Sequence, residues 1–265
     1  MSSAPSAPSV SSAPSVLPSP EIRAVVLDFY GTLVRMVEPL PPDHRAIFER
    51  RGLAAQGARW GDQWAVGPAE GEEHAAHSIA ETAYHHWELD RLRRRARDCG
   101  VPGHELDGLV EEIDRAMKAI RLELFEDTRA VLGELRDRGL RIGICSNWFW
   151  NLEDCLEEVG LAPMVDFVVG SARAGARKPH PLIYRALLER CELPPRQVLF
   201  VGDMWAPDVL GPLTAGMRSV HLCRPDPAVR GSEPPLVDGA VRIRGLAELL
   251  TLVASGAAAG PGGFG

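Results

Sequence analysis

Ala24-Val25-Val26-Leu27-Asp28-Phe29-Tyr30-Gly31-Thr32-Leu33 holds a short apolar run, the charged residue that ends it and the turn that follows. Four apolar residues in succession fit a strand covered on both faces, not one with a face to water. Gly31-Thr32 then breaks the run. A carboxylate at that point stands on the rim of a sheet, where open α/β folds bind their ligands.

Further along the chain the same device recurs. A strand over 140–145 runs into Cys145-Ser146-Asn147, and one over 197–201 runs into Gly202-Asp203, with Asp208 five residues on. Lys178-Pro179 falls in the loop after a strand over 166–169. Helical spacing covers 127–138, 151–159, 180–190 and 206–215, and a strand over 218–222 follows. A last strand near 239–243 and a helix over 245–253 close the series. Strands alternating with helices predict βαβ units, hence an α/β fold with a doubly wound parallel sheet. The four rims then bring together a carboxylate, a hydroxyl, an ammonium and a second carboxylate pair. Such a set offers a nucleophile, a hydrogen-bond donor, a fixed positive charge and a hard oxygen site for Mg²⁺.

Residues 38–125 break the rhythm, with helical segments near 43–51, 72–98 and 104–122 and no clear strand. They predict a helical cap lying over the rim. The core is then expected at 21–37 and 126–254. Residues 1–20, nearly all Ser, Ala, Pro and Val, are expected to be disordered, and 255–265, with five Gly and a Pro, to form a flexible tail.

The chain has 265 residues with 45% hydrophobic and 25% charged side chains, as in ordinary globular proteins. A net charge of −7 argues against a nucleic-acid backbone as partner. The sequence carries neither an apolar run of spanning length nor a secretory leader pattern. Five cysteines without zinc-like spacing predict reduced thiols in the cytoplasm. A small-molecule substrate is expected, acted on by a monomer or homodimer. Of 29 basic residues only Lys118 and Lys178 are lysines, so a lysine here demands a reason.

The four strand-end motifs, in this order and with a helical insertion after the first, resemble the haloacid dehalogenase (HAD) superfamily. Arg177-Lys178-Pro179-His180-Pro181 and Leu199-Phe200-Val201-Gly202-Asp203 are similar to its typical strings. The resemblance covers 22–36 and 126–222. It implies a Rossmann-type core with Asp28 as nucleophile and Mg²⁺ held by Asp28, the Tyr30 carbonyl and Asp203. Asp208 would orient that shell or hold a metal-bound water. The resemblance also implies that Ser146 hydrogen-bonds the transferring group, Thr32 shapes the first loop and Lys178 offsets the negative charge. Tyr30, Thr32, Asn147, Trp148 and Trp205 are the expected substrate contacts.

One departure matters. Phosphatases of the superfamily usually carry a second Asp two residues after the nucleophile, and this chain has Tyr30, as its dehalogenases do. A free phenol titrates near about 10, so it is a poor base at neutral pH. The acidic fourth motif argues the other way, because dehalogenases have a Ser-rich string there and use no metal. The expected activity is a Mg²⁺-dependent phosphoric monoester hydrolase. A metal-independent 2-haloacid dehalogenase and an idle binding protein are the alternatives. His74, His77, His85 and His86 read as solvated helix histidines, and Arg91, Arg93, Arg94, Arg95 and Arg97 as a solvated face. Trp60, Trp64 and Trp87 read as core or cap–core interface.

Overall fold

The computed structural model describes residues 21–38, 40, 43–61, 69–225 and 233–257. The expected tail 1–20, the part of the expected tail 255–265 beyond 257, and Trp64 lie outside them; residues 255–257 are not a free tail but the last residues of the helix Ala247–Ala257.

Six parallel strands form the sheet: β1 (Ala24–Leu27), β4 (Arg141–Ser146), β5 (Phe167–Gly170), β6 (Val198–Gly202), β7 (Arg218–Leu222) and β8 (Ala240–Ile243). Their order is β5-β4-β1-β6-β7-β8, so the chain winds outward from β1 first one way and then the other. β1 therefore lies between β4 and β6, and the crevice where the winding reverses opens at the carboxyl ends of these three strands. The register sets Leu27 opposite Ile144 on one side and Val201 on the other. Because strand side chains alternate, β1 feeds two cores. Val25 and Leu27 pack with Leu132, Leu135, Leu156 and Leu249, from α5 (Thr128–Asp137), α6 (Leu152–Glu158) and α10 (Ala247–Ala257). Ala24 and Val26 pack with Ile183, Tyr184 and Leu187 of α8 (Pro181–Cys191).

The stretch between β1 and the rest of the sheet is mostly helical: α1 (His44–Arg50), α2 (Ala54–Trp60), α3 (Glu81–Asp98) and α4 (Leu106–Lys118). It has its own core, in which Ile47, Phe48, Leu109 and Ile113 are fully buried. Each such side chain contributes about 1.5–3 kcal/mol by leaving water. The expected segment 72–98 holds one 3-10 turn, Ala75–His77, and becomes α-helical only at Glu81, and 104–122 ends at Lys118. β2 (Val34–Met36) and β3 (Leu122–Leu124) pair antiparallel and form the root by which this insert leaves and rejoins the core. Each is three residues long, too short for an alternating pattern to mark it.

A second tie lies far from that ribbon. Glu73 and Ala176 form an antiparallel bridge. Gly71 N–H donates to Lys178 O at 3.2 Å, Arg177 N–H to Glu72 O at 3.0 Å and His74 N–H to Gly175 O at 2.7 Å. The stretch before α3 is thus fastened to the loop that carries Lys178.

The expected solvated faces of the insert need correction. His74 is 3% exposed, its Nδ1 meets Ser78 Oγ at 3.0 Å, and its ring rests against Tyr84 and Trp87. Burial pushes it down to about 4, which keeps the ring neutral. Arg91 pairs with Glu72, Arg93 with Asp90 and Asp107, and Arg95 donates to Trp60 O at 2.5 Å. Only Arg94 and Arg97 of that run face solvent. The helix expected over 206–215 is instead a π-turn, Trp205–Leu210, followed by a short α-helix, Gly211–Thr214. Pro207 and Pro212 each lack the N–H that a continuous α-helix needs.

Candidate active site

Lys178 is the hub of the rim. Its Nζ donates to Asp28 Oδ1 at 2.7 Å, to Asp208 Oδ1 at 2.6 Å and to Cys145 O at 2.9 Å, all buried. Burial alone would lower this amine. The attraction of Asp208 and Asp28 outweighs burial and holds it well above the usual lysine range, so it is a fixed cation. Asn147 locks the backbone beneath it: its Nδ2 donates to Lys178 O at 3.0 Å and its Oδ1 accepts from Lys178 N–H at 2.7 Å. Both ends of the Asn147 amide are thereby engaged in positioning Lys178.

Asp28 sits where β1 ends, and its N–H bonds Val201 O at 2.9 Å. Asp203, just past β6, accepts from Thr32 Oγ1 at 3.3 Å. Burial, then the charges of Asp28 and Asp208, push Asp203 above the usual carboxylate range. Asp208 has one oxygen on Lys178 and the other on Met204 N–H at 2.9 Å. Ser146 closes β4 and is 2% exposed. One oxygen from each of Asp28, Asp203 and Asp208 lies within 4.8 Å of the others.

Two glycines make this crowding possible. A Cβ on Gly202 would meet Asp208 Cγ at 2.4 Å, and one on Gly31 would meet Asp203 Oδ2 at 2.5 Å. Gly31 also has φ +83°, which L side chains adopt at a cost of about 1 kcal/mol or more. Gly31→Ala is therefore expected to push the Asp203 carboxylate aside and lower kcat/KM about tenfold or more, with a smaller loss of stability. Unchanged kinetics in that variant would show that Asp203 need not stand where it does.

Three carboxylates share one ammonium, so with all three ionised the cluster carries two negative charges in excess, and this crowding helps push Asp203 and Asp208 upward. That surplus, the upward shift of Asp203 and the hard oxygen donors suit a divalent cation. Asp28, Asp203 and Asp208 are the residues that could ligate it, each offering an oxygen within 4.8 Å of the others. Asp208 orients Lys178 and the loop.

Of the aromatic residues expected at the site, Trp148 is 8% exposed and packs edge-on to Phe29 at 5.2 Å, with Tyr30 at 6.4 Å. Trp205 rests on His221 at 5.1 Å. Neither lines the cavity of about 470 Å³ between α3, α4 and the loop after β4; Trp150 does, with Tyr84 of the insert. His221 and Arg224 are positioning residues that sequence reasoning missed. The His221 ring meets Asp203 O at 3.1 Å. Arg224 donates to Thr32 O at 2.8 Å and grips Asp127 at 2.9 and 3.1 Å, bracing the first loop from behind. Both follow the last motif at β7, where no pattern singles them out.

A family model described as haloacid dehalogenase-like hydrolase matches residues 22–216. Among relatives, haloacid dehalogenase-like hydrolase domain-containing protein 3 of Bos taurus is 28% identical over 227 residues, covering 81% of this chain and 88% of that protein. A solved HAD phosphatase from Thermococcus onnurineus superposes with a TM-score of 0.58 at 22% identity, covering 88% of this chain and 98% of its own. The L-2-haloacid dehalogenase from Xanthobacter autotrophicus with chloropropionic acid covalently bound gives 0.52 at 19%, with the same coverage of 88% and 98%. At these identities the two solved structures speak to the fold alone.

Proposed function

The chain belongs to the haloacid dehalogenase-like hydrolase family, and on that premise we propose that it is a Mg²⁺-dependent phosphoric monoester hydrolase acting on a small organic phosphate. The observation that carries this reading is the excess of carboxylate over ammonium among Asp28, Asp203, Asp208 and Lys178. With the three carboxylates ionised, an incoming phosphate dianion meets two uncompensated negative charges, and at short range that repulsion needs a cation. Attack on carbon with release of a halide carries no such requirement.

Asp28, Asp203 and Asp208 would hold the ion, with Asp208 braced by Lys178 and Met204 N–H. Bound there, Mg²⁺ supplies positive charge that screens the carboxylates and stabilises the transferring group. Lys178 fixes Asp28 by Oδ1 and leaves Oδ2 to attack phosphorus. The ester P–O bond breaks, the alcohol leaves with a proton from water, and the phosphoryl group passes to Asp28. Water then attacks that phosphorus, releases phosphate and regenerates the carboxylate. Ser146, at the neighbouring strand end, donates to the phosphoryl oxygens. Tyr30 is a weak substitute for the acid–base carboxylate, so the native rate is modest.

Phosphatase activity is expected to vanish in EDTA and return with Mg²⁺. Tyr30→Asp is expected to raise kcat about tenfold or more, since positioned acid–base groups contribute on the order of 10²–10⁴. Tyr30 itself favours a second reading, a metal-independent 2-haloacid dehalogenase. Halide release that persists in EDTA, with no phosphatase activity in either variant, would select that reading over ours. The five cysteines are all free and buried, and no helix of the described residues is long and apolar enough to cross a membrane. Both fit a place in the cytoplasm.

A further inference from the structure

We propose that Tyr184 is a positioning residue of the reaction: its hydroxyl satisfies a carbonyl that the turn carrying Asp208 cannot satisfy for itself, and so holds Asp208 against Lys178. This rests on the phosphatase reading of the Asp28 rim and adds to it a residue from outside the strand-end motifs.

The turn over Trp205–Leu210 is bonded in the π register, in which Gly211 N–H donates to Ala206 O, five residues back. The next donor in that register is residue 212, and its acceptor would be Pro207 O. Residue 212 is proline and has no N–H to give. Gly211 N–H, the α-helical alternative, is already spent on Ala206 O. Pro207 is buried, so its carbonyl needs a partner from the protein. Tyr184 Oη donates to it at 2.5 Å. The approach is kept clear for the hydroxyl, since a Cβ on Gly211 would collide with it.

The next residue is the one held in place. Asp208 N–H donates to Met204 O at 2.9 Å, its Oδ2 accepts from Met204 N–H at 2.9 Å, and its Oδ1 accepts from Lys178 Nζ at 2.6 Å. The carboxylate takes its direction from the turn, and Lys178 takes part of its own from the carboxylate. Tyr184 also serves the other partner of that pair. It stands on α8, six residues past Lys178, and its ring meets Phe200 edge-on at 6.3 Å. Lys178 Nζ lies 5.2 Å over the same Phe200 ring. Tyr184 is 1% exposed, so its effect on the reaction passes through the Lys178–Asp208 pair and not through contact with substrate.

The test sets Tyr184→Phe, which keeps the ring and removes the hydroxyl, beside Tyr184→Phe with Pro212→Ala, which supplies an N–H at position 212. The chain has only two lysines, so isotope labelling of lysine nitrogen gives two side-chain signals, and Lys118→Arg assigns them. In Tyr184→Phe, kcat for p-nitrophenyl phosphate with Mg²⁺ is expected to fall about tenfold, the weight of one buried hydrogen bond, and KM to change less than about twofold. The Lys178 nitrogen signal is expected to shift while that of Lys118 stays. The second change is expected to bring kcat and signal most of the way back. Native kcat, or an unmoved Lys178 signal, in Tyr184→Phe overturns the proposal. So does a loss that the second change leaves untouched while Pro212→Ala alone is active, because the bond to Pro207 O is then not what matters. Should Tyr184→Phe fold poorly, the double variant decides: folded with a native Lys178 signal it supports the bond, and unfolded it overturns it. If the native protein hydrolyses no phosphate ester, the phosphatase reading has failed, and the shift of the Lys178 signal and its recovery alone decide the part played by Tyr184.

Discussion

Asp28→Asn is expected to lower turnover by about 10⁴-fold or more, a loss of the size seen when a covalent nucleophile is removed. An amide presents no anionic oxygen to phosphorus, so the first bond is not made. The fold is expected to survive. Asn has nearly the shape of Asp, and Lys178 keeps Asp208 at 2.6 Å and Cys145 O at 2.9 Å when Asp28 loses its charge. The removed charge also relieves crowding beside Asp203. Single-turnover kinetics with p-nitrophenyl phosphate, set beside a thermal melt, make the comparison. Native-like turnover in a folded Asp28→Asn preparation would remove Asp28 from the mechanism, whichever substrate the enzyme prefers.

Lys178→Met is expected to give the largest loss of stability of any single change at the rim. The ammonium is 2% exposed, and its removal leaves Asp28, Asp203 and Asp208 buried together with no cation among them. Breaking a buried pair in this one-sided way costs about 3–5 kcal/mol. In a chain of this size each kcal/mol lowers the melting temperature by about 2–4 °C. Met fills a similar volume, so the loss reflects charge more than packing. Mg²⁺ is expected to return part of that stability, because binding the folded state alone stabilises it. Urea melts with and without Mg²⁺ read both effects. A Lys178→Met protein as stable as the native one would mean that the carboxylates protonate at little cost and that Lys178 is no hub.

The chemistry was legible in the sequence because each of its residues ends an apolar run. Asp28, Ser146 and Asp203 stop β1, β4 and β6, and a polar residue that closes a buried strand has only the rim to occupy. Lys178 stood out as one of two lysines. The cavity was not legible in this way. Glu88, Asp114 and Lys118 are helix residues spaced among other charges, and only the packing of α3 against α4 turns them inward. The rarity of lysine pointed at Lys118 as much as at Lys178, and that signal could have drawn attention to its partners. His85 read as solvated because its carboxylate neighbour Asp114 lies on another helix. The β2–β3 ribbon and the bridge at Glu73 are backbone pairings of one to three residues, below the length at which side-chain periodicity registers.

That bridge changes the mechanics of the insert. A body joined to its neighbour by one two-stranded ribbon is a flap that swings about a single axis. A second fastening off that axis makes it a latched door. The latch consists of the bonds Gly71 to Lys178, Arg177 to Glu72 and His74 to Gly175. Each is worth about 0.5–1.5 kcal/mol net, so any swing costs a few kcal/mol before other contacts are counted. Gaps of that size leave the minor state at about 0.1–10%. Any swing of the insert that breaks these bonds would also release the loop that carries Lys178. Unlatching and disarming would then be one motion, because the cation that holds Asp28 would lose part of its own support.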